Sequence, residues 1–386
     1  MNVEHRESLL GLDPASWDLL VPDGHPFLCH AFLASLERTN CLGYEAGWVG
    51  AHHLAWNDGQ LAGALVCWIK LHGYGEYNFD HQFAHAWTQL GGSFYPKMLV
   101  AIPFTPVSGP RILVRPGEDQ DMLIRRTLID AACATVAQNQ FSGLTVNFCQ
   151  DSEQQFLADR GFAIRSHHQY HWFNQGFEDF EAFLASLTSR KRKQIKRERR
   201  QLAAMGVSFR WLHGDQMGPA EWNVFYECYA STYGRKWGVP YLTRDFFSAI
   251  GEAIPSQILV VQAFHEGVCI ASALNFIGAT ALYGRNWGCL KQIPFLHFET
   301  CYYQAIEFAI ANGLERVEAG TQGEHKLQRG YVPSSTWSAH WFPHPKFMRA
   351  VSQYLAHERK AQGELMGYLK GLTPFKNPAC EPEQQA

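Results

Sequence analysis

Residues 257–278 read QILVVQAFHEGVCIASALNFIG. Two apolar runs flank His265-Glu266-Gly267, and an acid followed by glycine suits the positive φ angles of a tight hairpin turn, so the segment predicts a β-hairpin. A counterpart stands earlier, where AHHLAW (51–56) passes through Asn57-Asp58-Gly59 into AGALVCWIKL (62–71). Each hairpin is followed by a helical stretch, MLIRRTLIDAACATVAQNQ (122–140) or FETCYYQAIEFAIAN (298–312), stopped by Gly143 or Gly313. A strand comes next in both, LTVNFC (144–149) and LERVEA (314–319). Two later landmarks recur at a displacement of 169 positions: Arg160-Gly161-Phe162 with Arg329-Gly330-Tyr331, and His171-Trp172-Phe173 with His340-Trp341-Phe342. Landmarks repeated in order mark an internal duplication.

The second copy reads in more detail. Val207 to His213 has strand character, Pro219 opens a helix with Trp222, Phe225, Tyr226 and Tyr229 at helical spacing, and Thr243 caps the helix RDFFSAI. The resulting order, β-α-α-β-β-β-α-β-α-β, resembles the GNAT acyltransferase fold. The expected fold class is α/β with α+β mixed sheets, as tandem GNAT-like domains with a cleft between them. Their expected bounds are 1–175 and 176–345, with 346–386 a helical extension and tail.

With 386 residues, 46% apolar and 18% charged, the chain can bury two cores and is too apolar for disorder. The net charge is −3, which by itself calls for no polyanion. Ten cysteines form no Cys-x-x-Cys pair and no regular spacing, so they read as buried thiols rather than as a zinc ribbon or a disulfide framework. MNVEHRESLLGLD lacks the apolar core of a signal peptide, and no apolar run is long enough to cross a bilayer. The expected location is cytoplasmic, with no integral membrane segment.

The copies differ between the hairpin glycine and the helix-stopping glycine, a span about 38 residues longer in the first. An inserted aromatic-, Gly- and Pro-rich segment is placed at about 73–110. It carries Glu76 and Asp80, carboxylates able to act as a base or bind an amine, together with Tyr74 and Lys97. The second feature is SRKRKQIKRERR (189–200), with eight cations and one anion. It predicts a helix capped by Ser189, with Ile195 and Leu202 turned inward. Its Arg190, Lys191, Lys193 and Arg197 are candidates for an anionic substrate, against the plainer reading of a solvated face. The third is VEAGTQGEHKLQRGY (317–331), where a strand ends in glycines before a polar cluster. There Glu318 is a candidate base, while Lys326, His325 and Arg329 can bind substrate or stabilise an oxyanion. Arg285, in Arg285-Asn286-Trp287 at a strand end, is a further binding candidate. His167, His168 and His171 lack a completing ligand, and no metal site is expected.

The runs YPKMLVAIPFTPVSGPRIL (95–113), SRKRKQIKRERR (189–200), FLHFETCYYQAIEFAI (295–310) and AGTQGEHKLQRGY followed by SAHWF (319–342) are similar to the bacterial FemAB-like predicted N-acyltransferases, labelled as peptidoglycan biosynthesis or recognition proteins. The resemblance spans about Phe27 to Phe347. It implies paired GNAT-like domains that move an amino acid from aminoacyl-tRNA to an amine of a peptidoglycan precursor. It also implies that Lys326, or else Arg329, assists acyl transfer, and that the basic helix matches a Lys/Arg-rich helix of that family. No sustained heptads supply the coiled-coil arm that some members carry.

Ordinary acetyltransferases cradle the acetyl-CoA pyrophosphate on a glycine-rich loop at a helix start. Here the corresponding places read KQIPFLHFE (291–299) and Arg115-Pro-Gly-Glu-Asp-Gln, which disfavours acetyl-CoA in both copies. The expectation is an N-acyltransferase without a covalent enzyme intermediate and without a permanently bound cofactor. Its donor would be aminoacyl-tRNA or acyl-CoA and its acceptor a small-molecule or peptide amine; duplex DNA is not an expected partner. Two alternatives stay open: a CoA-dependent GNAT transferase, and a non-catalytic binding module for a glycan-peptide or phosphorylated ligand.

Overall fold

The computed structural model describes residues 1–118, 120–234, 238–320 and 323–376. The chain begins with β1 (Asn2–Arg6), α1 (Pro14–Asp18), α2 (His30–Arg38), β2 (Trp48–Gly50), β3 (His52–Asn57), β4 (Gln60–Leu65) and β5 (Cys67–Lys70). It continues through α3 (His81–Gln89), β6 (Lys97–Val100), β7 (Ile112–Val114), α4 (Asp121–Gln138), β8 (Leu144–Cys149), α5 (Asp151–Asp159) and β9 (Ala163–Phe173). Next come α6 (Phe180–Ser186), α7 (Ser189–Ala204), β10 (Val207–His213), α8 (Pro219–Gly234), α9 (Arg244–Ala253), β11 (Ile258–His265), β12 (Val268–Ile277) and β13 (Ala281–Cys289). The last elements are α10 (Leu296–Phe298), α11 (Gln304–Ala311), β14 (Arg316–Glu318), β15 (Val332–Trp341) and α12 (Pro345–Lys370).

Both hairpins form as the sequence predicts. Asp58 and Gly59 adopt φ of 49° and 76°, and Glu266 and Gly267 adopt 54° and 78°. Positive φ at both central residues is the turn whose twist matches paired strands, closing Asn57 on Gln60 and His265 on Val268.

The chain divides into two compact units: Met1–His167 with Ser335–Leu365, and His168–Ser334 with Met366–Ala386. The divisions therefore fall inside β9, β15 and α12, whereas the repeat placed them at 175/176 and 345/346. A strand's pairing partners, not its position in the repeat, decide which core it joins. The C-terminal residues likewise are no appendage. Phe347, Val351 and Leu355 of α12 pack with Phe83 and Phe342 in the first unit, and Leu369 and Phe375 join the core of the second. Residues 377–386 lie outside the described chain.

In the first unit β1, β3, β4 and β7 form one sheet, and β15, β8, β6, β5 and β2 follow one another in a second. Within the latter, β6 and β8 are parallel, pairing Met98 with Leu144 and Val100 with Val146. The segment expected as an insertion at 73–110 is thus not one loop. Lys97–Val100 is a fully buried strand between two neighbours, and the additional structure is narrower, chiefly the turn region and α3 before it. Four consecutive buried residues obscure the alternation by which a strand is read from sequence.

The second unit has the strand order β10-β11-β12-β13-β14-β9, again with one parallel pair, β13 with β14. Trp172, Val261, Leu282 and Val317 pack against Tyr303 and Ile306 of the crossover segment between that pair. Each unit thus repeats the same device: a parallel pair joined through a helix inside an otherwise antiparallel sheet. Helix α7 starts at Ser189 as expected, but the cap position is Thr188, which makes no side-chain capping bond. No helix among the described residues is long and apolar enough to cross a membrane.

Candidate functional site

The parallel pair in the second unit is short. Ala281, Leu282 and Tyr283 of β13 pair with Arg316, Val317 and Glu318 of β14, after which β14 ends while β13 runs on to Cys289. At the point of parting β13 carries a bulge, because Leu274 pairs with Asn286 and the next residue, Asn275, with Gly284. Arg285 is the extra residue. A bulge bends its strand and re-aims a side chain. Of the glycines on either side, Gly288 is there for a steric reason: a Cβ on it would lie 1.6 Å from the Cys228 carbonyl oxygen. Helix α8 therefore presses its backbone onto β13 just past the bulge.

Beyond Glu318 the chain still follows β9, since the Ala319 N–H donates to the Tyr170 carbonyl at 3.2 Å and the Tyr170 N–H to that of Gly320 at 3.3 Å. Gly320 has φ of 77°, and residues 321 and 322 of the polar motif lie outside the described chain. A 3-10 turn at Glu324–Arg329 then brings Lys326 back beneath the strand end. Its Nζ donates to the carbonyl oxygens of Ala319 (2.6 Å) and Gly320 (3.0 Å), and the residue is 3% exposed. Burial lowers its pKa to about 8, as expected for an ammonium taken from water with only neutral acceptors nearby. Two of its three N–H bonds are spoken for, and it gives up its proton more readily than an ordinary lysine.

Around this amine stand aromatic and imidazole rings. His325 Nε2 lies 2.9 Å from the Tyr302 hydroxyl, and the His297 ring lies 6.1 Å from His325 and 4.9 Å from Trp287 on β13. Burial, reinforced by neighbouring charged side chains, lowers the pKa of both histidines, His297 to about 4, so both imidazoles are neutral at pH 7. The segment behind them includes a π-helical turn, Glu299–Tyr303, a distortion frequent at functional sites.

Arg329 is turned inward. Its guanidinium stacks on Phe298 at 3.4 Å and donates to both Glu198 oxygens at 3.1 and 3.2 Å, while the Tyr303 hydroxyl donates to Glu198 at 2.5 Å. Glu198 is the one acid of the basic run, and the sequence offered no sign that it is the buried counter-ion of a residue 131 positions away. Glu318 is buried as well. Its Oε1 accepts from Arg316 Nε at 2.9 Å, while Oε2 lies 3.8 Å from His171 Nε2 and neither of those two atoms has a hydrogen-bond partner. An acid oxygen and an imidazole nitrogen, the imidazole's pKa lowered by burial, thus face one another just beyond hydrogen-bond distance. Cross-strand pairing of Glu318 with His171 is what brings them together.

On α7, Arg190, Lys193 and Arg197 are exposed and Lys191 is half-buried. Ile195 and Leu202 point inward as the sequence predicts. Lys196 pairs with Glu181, and Arg199 with Glu299 and Glu307.

The candidates in the first unit form a separate group. Lys97 Nζ lies 2.7 Å from Glu76 Oε2 and 2.5 Å from Asp80 Oδ2, all three being buried. Arg165 approaches Asp80 at 3.5 Å and binds Glu358 at 2.9 Å. Burial raises the Glu76 pKa. It would raise that of Asp80 too, but Lys97 and Arg165 outweigh it and hold that carboxyl below its usual range. The two acids are therefore counter-ions of Lys97. Tyr74 does not join them; it is 70% exposed, its carbonyl accepts from Lys70 at 3.2 Å and its N–H donates to His72 Nδ1 at 3.3 Å. Among the described residues no group of His, Cys, Asp or Glu is placed to hold a metal ion.

A family model described as FemAB-like, peptidoglycan biosynthesis/recognition, matches residues 8–377. The search of curated proteins gave no match. Among solved structures, the chain is similar to FemX, with a TM-score of 0.55 and 11% identity over 91% of this chain and 100% of that one. It is also similar to L-PGS from Bacillus licheniformis, with a TM-score of 0.52 and 12% identity over 84% of this chain and 96% of that one. A conserved protein of unknown function from Bacteroides thetaiotaomicron gives 0.51 and 9% over 88% and 99%. At such identities the likeness is one of fold.

Proposed function

The chain belongs to the FemAB-like family, and from that premise we propose that it is an N-acyltransferase moving an acyl or aminoacyl group to an amine of a peptidoglycan precursor, with the chemistry centred on Lys326. The observation that carries this reading is a buried ammonium, held by two strand-end carbonyls, beside the point where β13 and β14 part.

In the transfer, the amine nitrogen attacks the carbonyl carbon of the donor, a tetrahedral intermediate carries the negative charge on oxygen, and the bond from carbon to the carrier breaks. The amine loses a proton, and the departing oxygen or sulfur gains one. An ammonium with a pKa of about 8 suits two of these needs: it stabilises the oxyanion while protonated and can pass its proton to the leaving group. The proton of the attacking amine passes, in this reading, to Glu318 and His171, which face one another across the β14–β9 pairing. Arg285, the extra residue of the β13 bulge, is the proposed contact for an anionic part of a substrate.

The donor we favour is an aminoacyl ester of tRNA over acyl-CoA. Pro294 has no N–H to offer, and Phe295, a bulky residue, takes φ of 68° where a pyrophosphate cradle uses glycine. The exposed cations Arg190 and Arg197 suit a polyanionic carrier.

The test is to incubate the purified chain with aminoacyl-tRNA or acyl-CoA and a lysine-containing muropeptide, following the acceptor's mass. A product formed with wild-type protein and absent with Lys326→Ala supports the reading. If neither donor is consumed, it fails.

A further inference from the structure

Helix α7 carries eight cations, and only Lys196 and Arg199 pair with carboxylates on other elements among the described residues. Like charges one turn apart repel, so such a face is costly unless an anion meets it. Beside it lies a groove of about 610 Å³ bounded by α6, α7, the edge strand β10 and the π-helical turn. That volume suits a small organic molecule.

The lining has two characters. One wall is apolar, formed by Leu184, Leu202, Ala203, Val207 and Phe209, with Ala203 exposed and Phe209 half-exposed. The rim is cationic: Lys193, Lys196, Arg199 and Arg200 face only Glu181 and Glu299. Even with Glu307 counted against Arg199, one positive charge remains in excess, and Lys193 and Arg200 meet no carboxylate. The floor has no unmet demand. The Trp211 Nε1–H donates to Gln304 Oε1 at 2.8 Å, Gln304 Nε2 donates to Glu299 Oε1 at 2.8 Å, and Arg199 Nε reaches both Glu299 oxygens. A rigid, satisfied floor leaves recognition to the wall and the rim.

We infer that this groove is a binding site for an organic phosphate ester, its phosphate held by Lys193 and Arg200 and its apolar remainder laid against Leu202, Ala203, Val207 and Phe209. A bare anion leaves the wall unused, and a neutral apolar molecule leaves the rim uncompensated. The site is distinct from the Lys326 centre, and its occupancy does not depend on the acyl-transfer reading.

The experiment is isothermal titration of the full chain with dodecyl phosphate below its micellar concentration, with adenosine 5′-monophosphate, and with inorganic phosphate. The expected result is saturable binding of one ester per chain, at least about tenfold tighter than inorganic phosphate, a preference of ~1.4 kcal/mol. Preference for the alkyl ester identifies a lipid source, and preference for the nucleotide a soluble one. Ala203→Trp, which fills the groove from an exposed position, and the surface double variant Lys193→Glu/Arg200→Glu are each expected to weaken binding about tenfold or more with the melting temperature retained. Esters that bind no better than inorganic phosphate, or binding that survives the double variant, would overturn the inference.

Discussion

The Lys326 ammonium donates to the Ala319 carbonyl oxygen across 2.6 Å, so the turn that follows β14 folds its own lysine back under the strand it leaves. This places a titratable group at a strand end without a carboxylate to fix its charge. If the protonated form assists the leaving group, activity should be fully present below pH 7 and decline as pH rises through about 8. Lys326→Ala should lower kcat by about a hundredfold or more, in the range of a lost acid catalyst, with KM much less changed. A pH–rate profile with a flat alkaline limb would exclude that role.

Arg329 donates to Glu198 and to the His325 carbonyl and stacks on Phe298, and Glu198 also accepts from Tyr303. Removing the cation strands a buried carboxylate. Arg329→Met is expected to cost about 3–5 kcal/mol of stability in chemical denaturation, whereas the double variant Arg329→Met/Glu198→Gln should recover part of it. An Arg329→Met protein as stable as wild type would instead assign Arg329 a substrate-facing role.

Lys97→Met leaves Glu76 buried without its ion-pair partner and Asp80 with only Arg165, at 3.5 Å. The loss at pH 7 should be about 3–5 kcal/mol. Burial already raises the Glu76 pKa, and without Lys97 less offsets it, so the variant gains stability as pH falls and that carboxyl protonates. The wild-type Asp80, with its pKa lowered, loses stability in the same direction. The gap between the two proteins should therefore narrow from pH 7 to pH 4.5 in paired thermal melts.

Lys70 is buried with its Nζ 4.0 Å over the Trp48 ring, and burial lowers its pKa to about 7. The unfolded chain keeps this proton up to about pH 10.5, so between the two values the unfolded state binds more protons and stability rises with pH. Lys70→Met should be more stable than wild type at pH 6, lose more than half of that advantage by pH 9 and the rest by about pH 10.5. The ceiling is about 5 kcal/mol, set by the size of the shift at 1.36 kcal/mol per unit. A difference independent of pH would show that Lys70 keeps the same pKa in the folded and unfolded states.

Much of the architecture can be read along the chain because its signals are short-ranged. Asp58-Gly59 and Glu266-Gly267 dictate their turns by backbone geometry alone, and the spacing of Ile195 and Leu202 declares which face of α7 is buried. The duplication follows from such local signals recurring in order. They fail where burial is complete, as at Lys97–Val100, whose four inward residues carry no alternation and hid a strand inside an apparent insertion.

What the sequence by itself determined is therefore the duplication, the order of the elements with local signals, the family and the presence of a basic helix. Only the tertiary structure decided which charges remain available. Arg329 and Glu198 neutralise each other, Lys97 takes up Glu76 and Asp80, and Lys326 meets strand-end carbonyls and no carboxylate among the described residues. The physical reason is that a charge's character in a protein is set by its desolvation and by partners brought from distant positions, and neither quantity has a local signature in the order of residues.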